Sequence, residues 1–355
     1  MREPPESPRA EYVEAAERAG LRYTPDSSRG IRRERAGKAF AYVGANGQPI
    51  TSERTLQRIR SLAIPPAWTD VWICPHPSGH LQVTARDARG RKQYRYHPKY
   101  RAVRDETKFD RMMDFSGILP SVRQTVESHL GLPGLAREKV LATVVWLLER
   151  TLIRVGNIEY ARENESYGLT TLEGRHAAVR GATVAFWFRG KSGKEHSISV
   201  QDRRLARIIQ RCQTLPGQQL FQCVDELGNR QDVTSDDVNG YLREIAGPGI
   251  TAKDFRTWGG TMAAATALRE LGPARLVRDR KANIVRAVDK VARLLGNTRT
   301  VCRKYYIHPV ILDEYGKGQV VPGPGSRPGG RQSSEVRLRD DEIAVLDFIR
   351  ECQGG

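Results

Sequence analysis

Residues 136–157 read AREKVLATVVWLLERTLIRVGN, and Leu141, Val144, Val145, Leu148, Leu152 and Val155 recur there at steps of three and four. On a helix that spacing lays down one apolar stripe, and such a stripe has to be buried against other elements. The pattern therefore predicts a core-facing helix with Gly156 as its C-terminal stop and Arg154 at its end. Whatever the chain does, it is built on a helical body around this segment.

The chain ahead of that helix has a different period. A short helical pattern, EYVEAAERAG, ends at Gly20. In KAFAYV, Phe40 and Tyr42 alternate with small residues, and GANG follows, which predicts a strand and a hairpin turn at Asn46-Gly47. SERTLQRIRSL, capped by Ser52, predicts one short helix, broken by IPPAW. Leu81, Val83 and Ala85 then alternate with Gln82, Thr84 and Arg86, and the whole run VWICPHPSGHLQVTARDARGRKQYRYHP reads as three strands joined by turns. The expected fold class is α+β: a small, basic, β-rich N-terminal domain (1–104), a mostly α-helical domain (105–320), and a linker with a short C-terminal helix (321–355).

Within the helical part, DETKFDRMMDF and SVRQTVESHL predict two further helices. TVAFWFRGKSGKEHSISV predicts an isolated hairpin, because Val184, Phe186 and Phe188 alternate and GKSGK forms the tip. From about 201 to 315 the pattern is again helical; Ile284, Val288, Val291 and Leu295 form one stripe that Gly296 closes. PGPGSRPGGRQSS is a linker by composition, and RLRDDEIAVLDFIREC an amphipathic helix that docks on the body or on a partner.

Charge narrows the function. The chain has 355 residues, 39% of them hydrophobic, with 58 Lys and Arg against 41 Asp and Glu, a formal charge of +17. Cations spread along the whole length of a well-cored chain point to a polyanionic partner, nucleic acid first among them. Cys74, Cys212, Cys223, Cys302 and Cys352 are odd in number, widely spaced and without a CxxC pair, which argues against a disulfide framework and a zinc site. MREPPESPRA lacks the apolar run of a signal peptide, and no segment approaches 18 uninterrupted apolar residues. The expectation is a cytoplasmic, nucleoid-associated protein with no membrane and no metal. A GxxxxGK[ST] phosphate loop is also absent from the sequence.

The chemistry gathers at VCRKYYIHP, where Tyr305 and Tyr306 follow Arg303 and Lys304. A tyrosine phenol ionises near pH ~10, but cationic neighbours favour the phenolate, which can attack phosphorus. The nine residues alone also fit an amphipathic helix end with one tyrosine in the core and one on the surface. Breaking a phosphodiester in this way needs arginines to hold the non-bridging oxygens bidentately and a mobile lysine to protonate the leaving oxygen.

The order TLIRVGN, GLTTL, FRGK on a hairpin, KDFRTWGG, then GNTR and CRKYYIHP resembles a type IB DNA topoisomerase of the bacterial and poxvirus kind, over roughly residues 30–315. The resemblance implies a C-shaped clamp around DNA, acting as a monomer without cofactor. It implies Tyr306 as nucleophile, since Asn297 stands nine residues before it and IHP follows it. It further implies Arg154 and Arg256 as active-site arginines, Lys191 as general acid, and Lys253 as a supporting lysine. Asn297 departs from the histidine of poxvirus members: an amide donates a hydrogen bond but brings no charge. In GRKQYRYHPKYR, Gln93, Tyr94 and Tyr96 match DNA-reading positions, as does Tyr160, although strict alternation would separate Gln93 from the tyrosines and argues against a regular strand. Asn157 and Glu159 replace lysines tied to poxvirus sequence selectivity, so no pentameric target is implied. Arg303 and Lys304 then read as DNA-facing or solvated. Two other readings stand beside this one: a tyrosine recombinase, which usually carries His-x-x-Arg where this chain has Lys253 to Arg256, and a DNA-binding architectural protein without catalysis.

Overall fold

The computed structural model describes residues 8–37, 39–88, 90–323 and 337–354, so most of the expected linker lies outside the described residues. The chain divides into two compact units, residues 1–110 and 111–355.

The first unit opens with α1 (Pro8–Arg18) and is built on an antiparallel sheet. Its strands are β1 (Ile31–Ala36), β2 (Ala39–Val43), β3 (Thr69–Ile73), β4 (Leu81–Arg86) and β5 (Lys92–Tyr96), in the order β2-β1-β3-β4-β5. Helix α2 (Glu53–Ser61) packs Ile59 onto the face formed by Ile31, Val71, Ile73, Val83 and Ala85. Burying an isoleucine in this way contributes about 1.5–3 kcal/mol. Arg58 fixes the helix to the sheet, donating from Nη2 to the Cys74 carbonyl at 2.8 Å and from Nη1 to Gln82 Oε1 at 3.1 Å. Ser52 occupies the N-cap position, but its hydroxyl makes no capping bond. The turn at Asn46-Gly47 forms, with the Gly44 N–H donating to the Gln48 carbonyl and Gly47 at φ 81°. It leads only to a single bridge between Val43 and Pro49, while the strand partner of β2 is β1.

The 92–96 stretch is a regular strand, contrary to expectation. Tyr94 pairs with Thr84 and Gln93 with Ala85, and a bulge between Leu81 and Val83 absorbs the irregularity in the neighbouring strand. The alternation still applies, so Gln93 lies on the face opposite Tyr94 and Tyr96.

The two helices expected between 105 and 130 are one: α3 runs from Pro98 to Leu130, and the boundary between the units falls inside it. Pro120 sits within it and would ordinarily cost ~3 kcal/mol. Met112, Phe115, Leu119, Val122, Val126 and Leu130 are all buried along one stripe, and burial of that stripe outweighs the lost backbone bond.

In the second unit α4 (Arg137–Thr151) is the central helix, with every residue from Val140 to Leu148 buried. Around it follow α5 (Ile158–Asn164), a three-stranded antiparallel sheet of β6 (Ala177–Arg180), β7 (Thr183–Arg189) and β8 (Glu195–Gln201), and α6 (Arg203–Thr214). The expected hairpin is therefore β7–β8 with a third strand on its outer side. A small hairpin, β9 (Gln222–Val224) and β10 (Arg230–Asp232), interrupts the helical run, which resumes with α7 (Ser235–Ala246), α8 (Ala252–Leu271), α9 (Val277–Leu295), α10 (Arg299–Tyr305) and α11 (Pro309–Lys317). Gly296 closes α9 in the left-handed conformation, φ 58°.

The C-terminal helix α12 (Asp340–Gly354) docks on the body of this unit, against α8 and α11. Val345, Leu346, Phe348 and Ile349 are buried, and so is the carboxylate of Glu342. It accepts two bonds from Arg123 at 2.7 and 2.8 Å, one from the Trp258 indole at 3.1 Å and one from the Arg339 N–H at 2.9 Å. Burial pushes the Glu342 carboxyl up, but these donors outweigh it and leave it below the ordinary range. Among the described residues no helix is long and apolar enough to cross a membrane.

Candidate active site

Arg154 lies beyond its helix, not at the helical end that periodicity predicts. Helix α4 stops because Leu152 turns left-handed (φ 55°, ψ 20°), a conformation costing ~1 kcal/mol for a non-glycine residue. Packing holds it there: Leu152 is buried, and a Cβ placed on Gly259 of α8 would stand 2.6 Å from its Cδ2. The chain then runs against residues 168–171, where the Leu169 N–H donates to the Arg154 carbonyl at 2.8 Å and the Thr170 N–H to the Val155 carbonyl at 2.6 Å. A Cβ on Gly168 would come within 2.6 Å of the Arg154 oxygen. The motifs TLIRVGN and GLTTL are thus two sides of one backbone contact.

Arg256, on α8, is 5% exposed. Its Nη1 donates to the Leu152 carbonyl, and its Nη2 to the Leu295 carbonyl at 2.9 Å. Arg154 reaches the same Leu295 oxygen from Nη1 at 3.5 Å and donates from Nη2 to Asn297 Oδ1 at 2.6 Å. Asn297 is brought there by the Gly296 turn. Its Nδ2 is buried and has no hydrogen-bond partner. Burial pushes the Arg256 guanidinium down to about 10, and the adjacent Arg154 pushes the same way, against Tyr306. Among the described residues no ion pair joins Arg154, Arg256, Lys191 or Lys194 to a carboxylate. Two cations and an unsatisfied amide donor with no counter-ion form a site for an anion.

Tyr306 ends α10, its N–H donating to the Cys302 carbonyl at 3.0 Å. Its ring lies under Arg256, 5.3 Å from Cζ to ring centroid. Gly260 makes this approach feasible, since a Cβ there would stand 2.4 Å from the Tyr306 oxygen. Thr261 spans the same contact, its hydroxyl donating to the Tyr306 carbonyl at 3.5 Å and accepting from the His308 N–H at 3.0 Å. Tyr305, one residue back and therefore rotated by about 100° around a helix, is 37% exposed beneath Lys304. Arg303 and Lys304 are exposed. His308 caps α11, its Nδ1 accepting from the Val310 N–H at 3.3 Å.

The β7–β8 tip is closed by the Gly190 N–H donating to the Lys194 carbonyl at 2.7 Å, with Ser192 at φ 65°. The Lys191 Nζ lies 5.7 Å over the half-buried ring of Tyr160. Lys194 instead reaches the site, donating to the Asn297 carbonyl at 2.9 Å. Lys253 is exposed in the first turn of α8 and does not join the cluster. Sequence reasoning passed over Gly259, Gly260 and His196. The last pairs with Phe188 across the hairpin and stacks on it, 4.9 Å between centroids. Strand alternation was the available signal, because it puts His196 on the same face as Ile198 and Val200.

In the first unit, Tyr94 and Tyr96 are exposed and stacked (6.1 Å, 6°), with Lys92 Nζ 5.5 Å over Tyr94. Gln93 faces the other way and donates to Asp87 Oδ2 at 2.9 Å.

The family model for the eukaryotic DNA topoisomerase I catalytic core matches residues 97–319, and that for the bacterial DNA topoisomerase IB N-terminal domain matches residues 39–87. The DNA topoisomerase 1B of Acanthamoeba polyphaga mimivirus is 32% identical over 293 residues, covering 81% of this chain and 87% of that protein. The DNA topoisomerase 1B of vaccinia virus (strain Copenhagen) is 23% identical over 66% of this chain and 72% of its own length. DNA topoisomerase 1 of Mycosarcoma maydis is 24% identical over 47% of this chain but only 18% of its own. With the catalytic-core match spanning more than half of the sequence, the chain belongs to the type IB DNA topoisomerase family.

Proposed function

We propose that the protein relaxes positive and negative supercoils by cutting and resealing one DNA strand through Tyr306, without ATP or metal. The observation that carries this reading is the meeting of Arg154, Arg256, the orphaned Asn297 Nδ2 and the Tyr306 ring in one place, where among the described residues no ion pair joins the arginines to a carboxylate. A phosphodiester there accepts bonds from both guanidiniums and the amide. Tyr306 gives up its phenolic proton to solvent as its oxygen attacks phosphorus, the bond to the 5′-oxygen breaks, and that oxygen takes a proton from Lys191. The products are a 3′-phosphotyrosyl ester and a free 5′-hydroxyl. Because the ester keeps the bond energy, the hydroxyl reverses the step after the duplex has swivelled. For Lys191 to act, the hairpin tip leaves Tyr160 and turns toward the leaving group when DNA binds. Lys253 supports from the start of α8. Each fixed donor aimed at the developing charge contributes about 3 kcal/mol.

The exposed Tyr94–Tyr96 pair contacts the duplex from the first unit, while Gln93, on the opposite face and bonded to Asp87, does not share that contact. Tyr160 contacts the duplex from the second unit, and the two units close on DNA as a clamp. The protein acts as a monomer on the nucleoid. The test is relaxation of supercoiled plasmid in EDTA without nucleotide, with trapping of the covalent adduct by denaturant. The parent protein relaxes plasmid and forms adduct; Tyr306→Phe does neither. Relaxation by Tyr306→Phe refutes the mechanism.

A further inference from the structure

The site holds one more ionisable group than the two arginines, two lysines and tyrosine require. His196 stands on the inner face of β8, five residues after Lys191, and its ring is enclosed by glycines from two different elements. A Cβ on Gly190, in its own hairpin, would meet His196 Cδ2 at 2.6 Å. A Cβ on Gly296, at the end of α9, would meet Cε1 at 2.8 Å and Nε2 at 3.0 Å, with Arg154 Nη1 at 3.8 Å from the same point. Phe188 stacks on one face of the ring, which stays partly exposed. Only glycine at both positions leaves room for the ring, which is thereby held next to the Asn297 turn and the Arg154 guanidinium.

Asn297 contributes a neutral donor to the scissile phosphate. We propose that His196, in its protonated form, contacts the same phosphate and supplies the positive charge that Asn297 does not. The charges acting on the ring are Arg154 from the segment after α4, Arg256 from α8 and Lys194 from the hairpin tip. Burial, then these three cations, hold the free imidazole below its ordinary value, so it is neutral in the empty site at neutral pH. A phosphodiester entering among these groups offsets their charge and is itself an opposite charge at close range, an arrangement that raises a histidine's pKa. The proton is taken up from solvent as DNA binds and released as it leaves. His196 thus ties grip on the phosphate to proton uptake, which a site with four fixed donors does not.

This inference rests on the reading of the Arg154–Arg256–Tyr306 cluster as the cleavage site, and the experiment separates the two. Single-turnover adduct formation on a duplex oligonucleotide is followed from pH 6 to pH 9 for the parent and for His196→Gln. If the parent forms no adduct, the cluster is not the cleavage site. If it does, the parent-to-variant rate ratio should rise about tenfold or more from pH 9 to pH 6, since one pKa unit is a factor of ten; loss of packing alone lowers the rate equally at every pH. A flat ratio overturns the proposal. Should His196→Gln fail to fold, the His196 ring is titrated by NMR in the Tyr306→Phe protein, free and with the duplex. A rise of one unit or more on binding supports the proposal, and an unchanged value overturns it.

Discussion

Replacing Gly260 by alanine tests whether the α8–Tyr306 contact sets the position of the reacting oxygen. The added Cβ would stand 2.4 Å from the Tyr306 carbonyl oxygen and 3.2 Å from the Tyr306 Cβ, whereas real Cβ atoms essentially never approach within 3.0 Å of a neighbour. At least 0.6 Å of separation has to be found. The obstructing atom is backbone, so no side chain can swing aside; either α10 shifts or α8 bends. A displacement approaching 1 Å at a reacting group costs on the order of 100-fold in rate, and overpacking of this kind costs about 1–3 kcal/mol in stability. Gly117 provides the control: it lies exposed in α3 with nothing within 4 Å of its added Cβ, so Gly117→Ala should stabilise by roughly 0.5–1 kcal/mol through helix propensity alone. The assay is the single-turnover rate of adduct formation at saturating DNA, with duplex affinity measured separately. We expect Gly260→Ala to lose about two orders of magnitude in rate with affinity little changed, and Gly117→Ala to match the parent. A Gly260→Ala protein that cleaves within about threefold of the parent refutes the argument that this contact positions Tyr306.

Asn297→Asp should reduce adduct formation by about 100- to 1,000-fold while leaving Tm unchanged or raised, because the new carboxylate pairs with Arg154 and occupies it; a parallel fall in Tm would mean that folding, not charge, was lost. Glu342→Gln removes the charged acceptor that Arg123 and Trp258 share. Breaking a buried pair costs ~3–5 kcal/mol, less here because Arg123 is partly exposed, so a fall in Tm of about 5–10 °C is expected for a unit of this size. Since the folded Glu342 carboxyl lies below its ordinary value of 4.5, its contribution is fully present above pH 4.5 and is lost as pH falls through the folded value. Calorimetry should therefore find the gap between parent and Glu342→Gln closing in acid, and a gap constant down to pH 3 would contradict this.

The β7–β8 hairpin was legible because Val184, Phe186 and Phe188 alternate, and the α9 stripe with its Gly296 stop was legible for the same kind of reason. Arg154 was placed wrongly because nothing in a periodic pattern marks Leu152 as left-handed; that turn depends on Gly259, more than 100 positions away. The single helix α3 was hidden by Pro120, whose local penalty is outweighed by burial that only tertiary packing supplies. The tail helix had an apolar stripe but gave no sign of its docking surface, since Glu342 reads as a surface charge until Arg123 and Trp258 are placed around it. For the site, the order of motifs identified Arg154, Arg256, Asn297 and Tyr306 as partners. It named Lys191 and not Lys194, although both lie on one tip, and only the three-dimensional path sends Lys194 to Asn297 and Lys191 to Tyr160.

The Leu295 carbonyl serves both arginines unequally, at 2.9 Å from Arg256 and 3.5 Å from Arg154. Arg256, held also by the Leu152 carbonyl, is the fixed floor of the site, whereas Arg154, besides its 2.6 Å bond to Asn297, keeps one weak bond that in the proposed mechanism it exchanges for a phosphate oxygen. An enzyme whose product is its own starting material has to release what it holds as readily as it takes hold. In that proposed mechanism one guanidinium swaps acceptors of similar kind while the other stands still, so the forward and return journeys are left close to level, and the broken strand is never committed to staying broken.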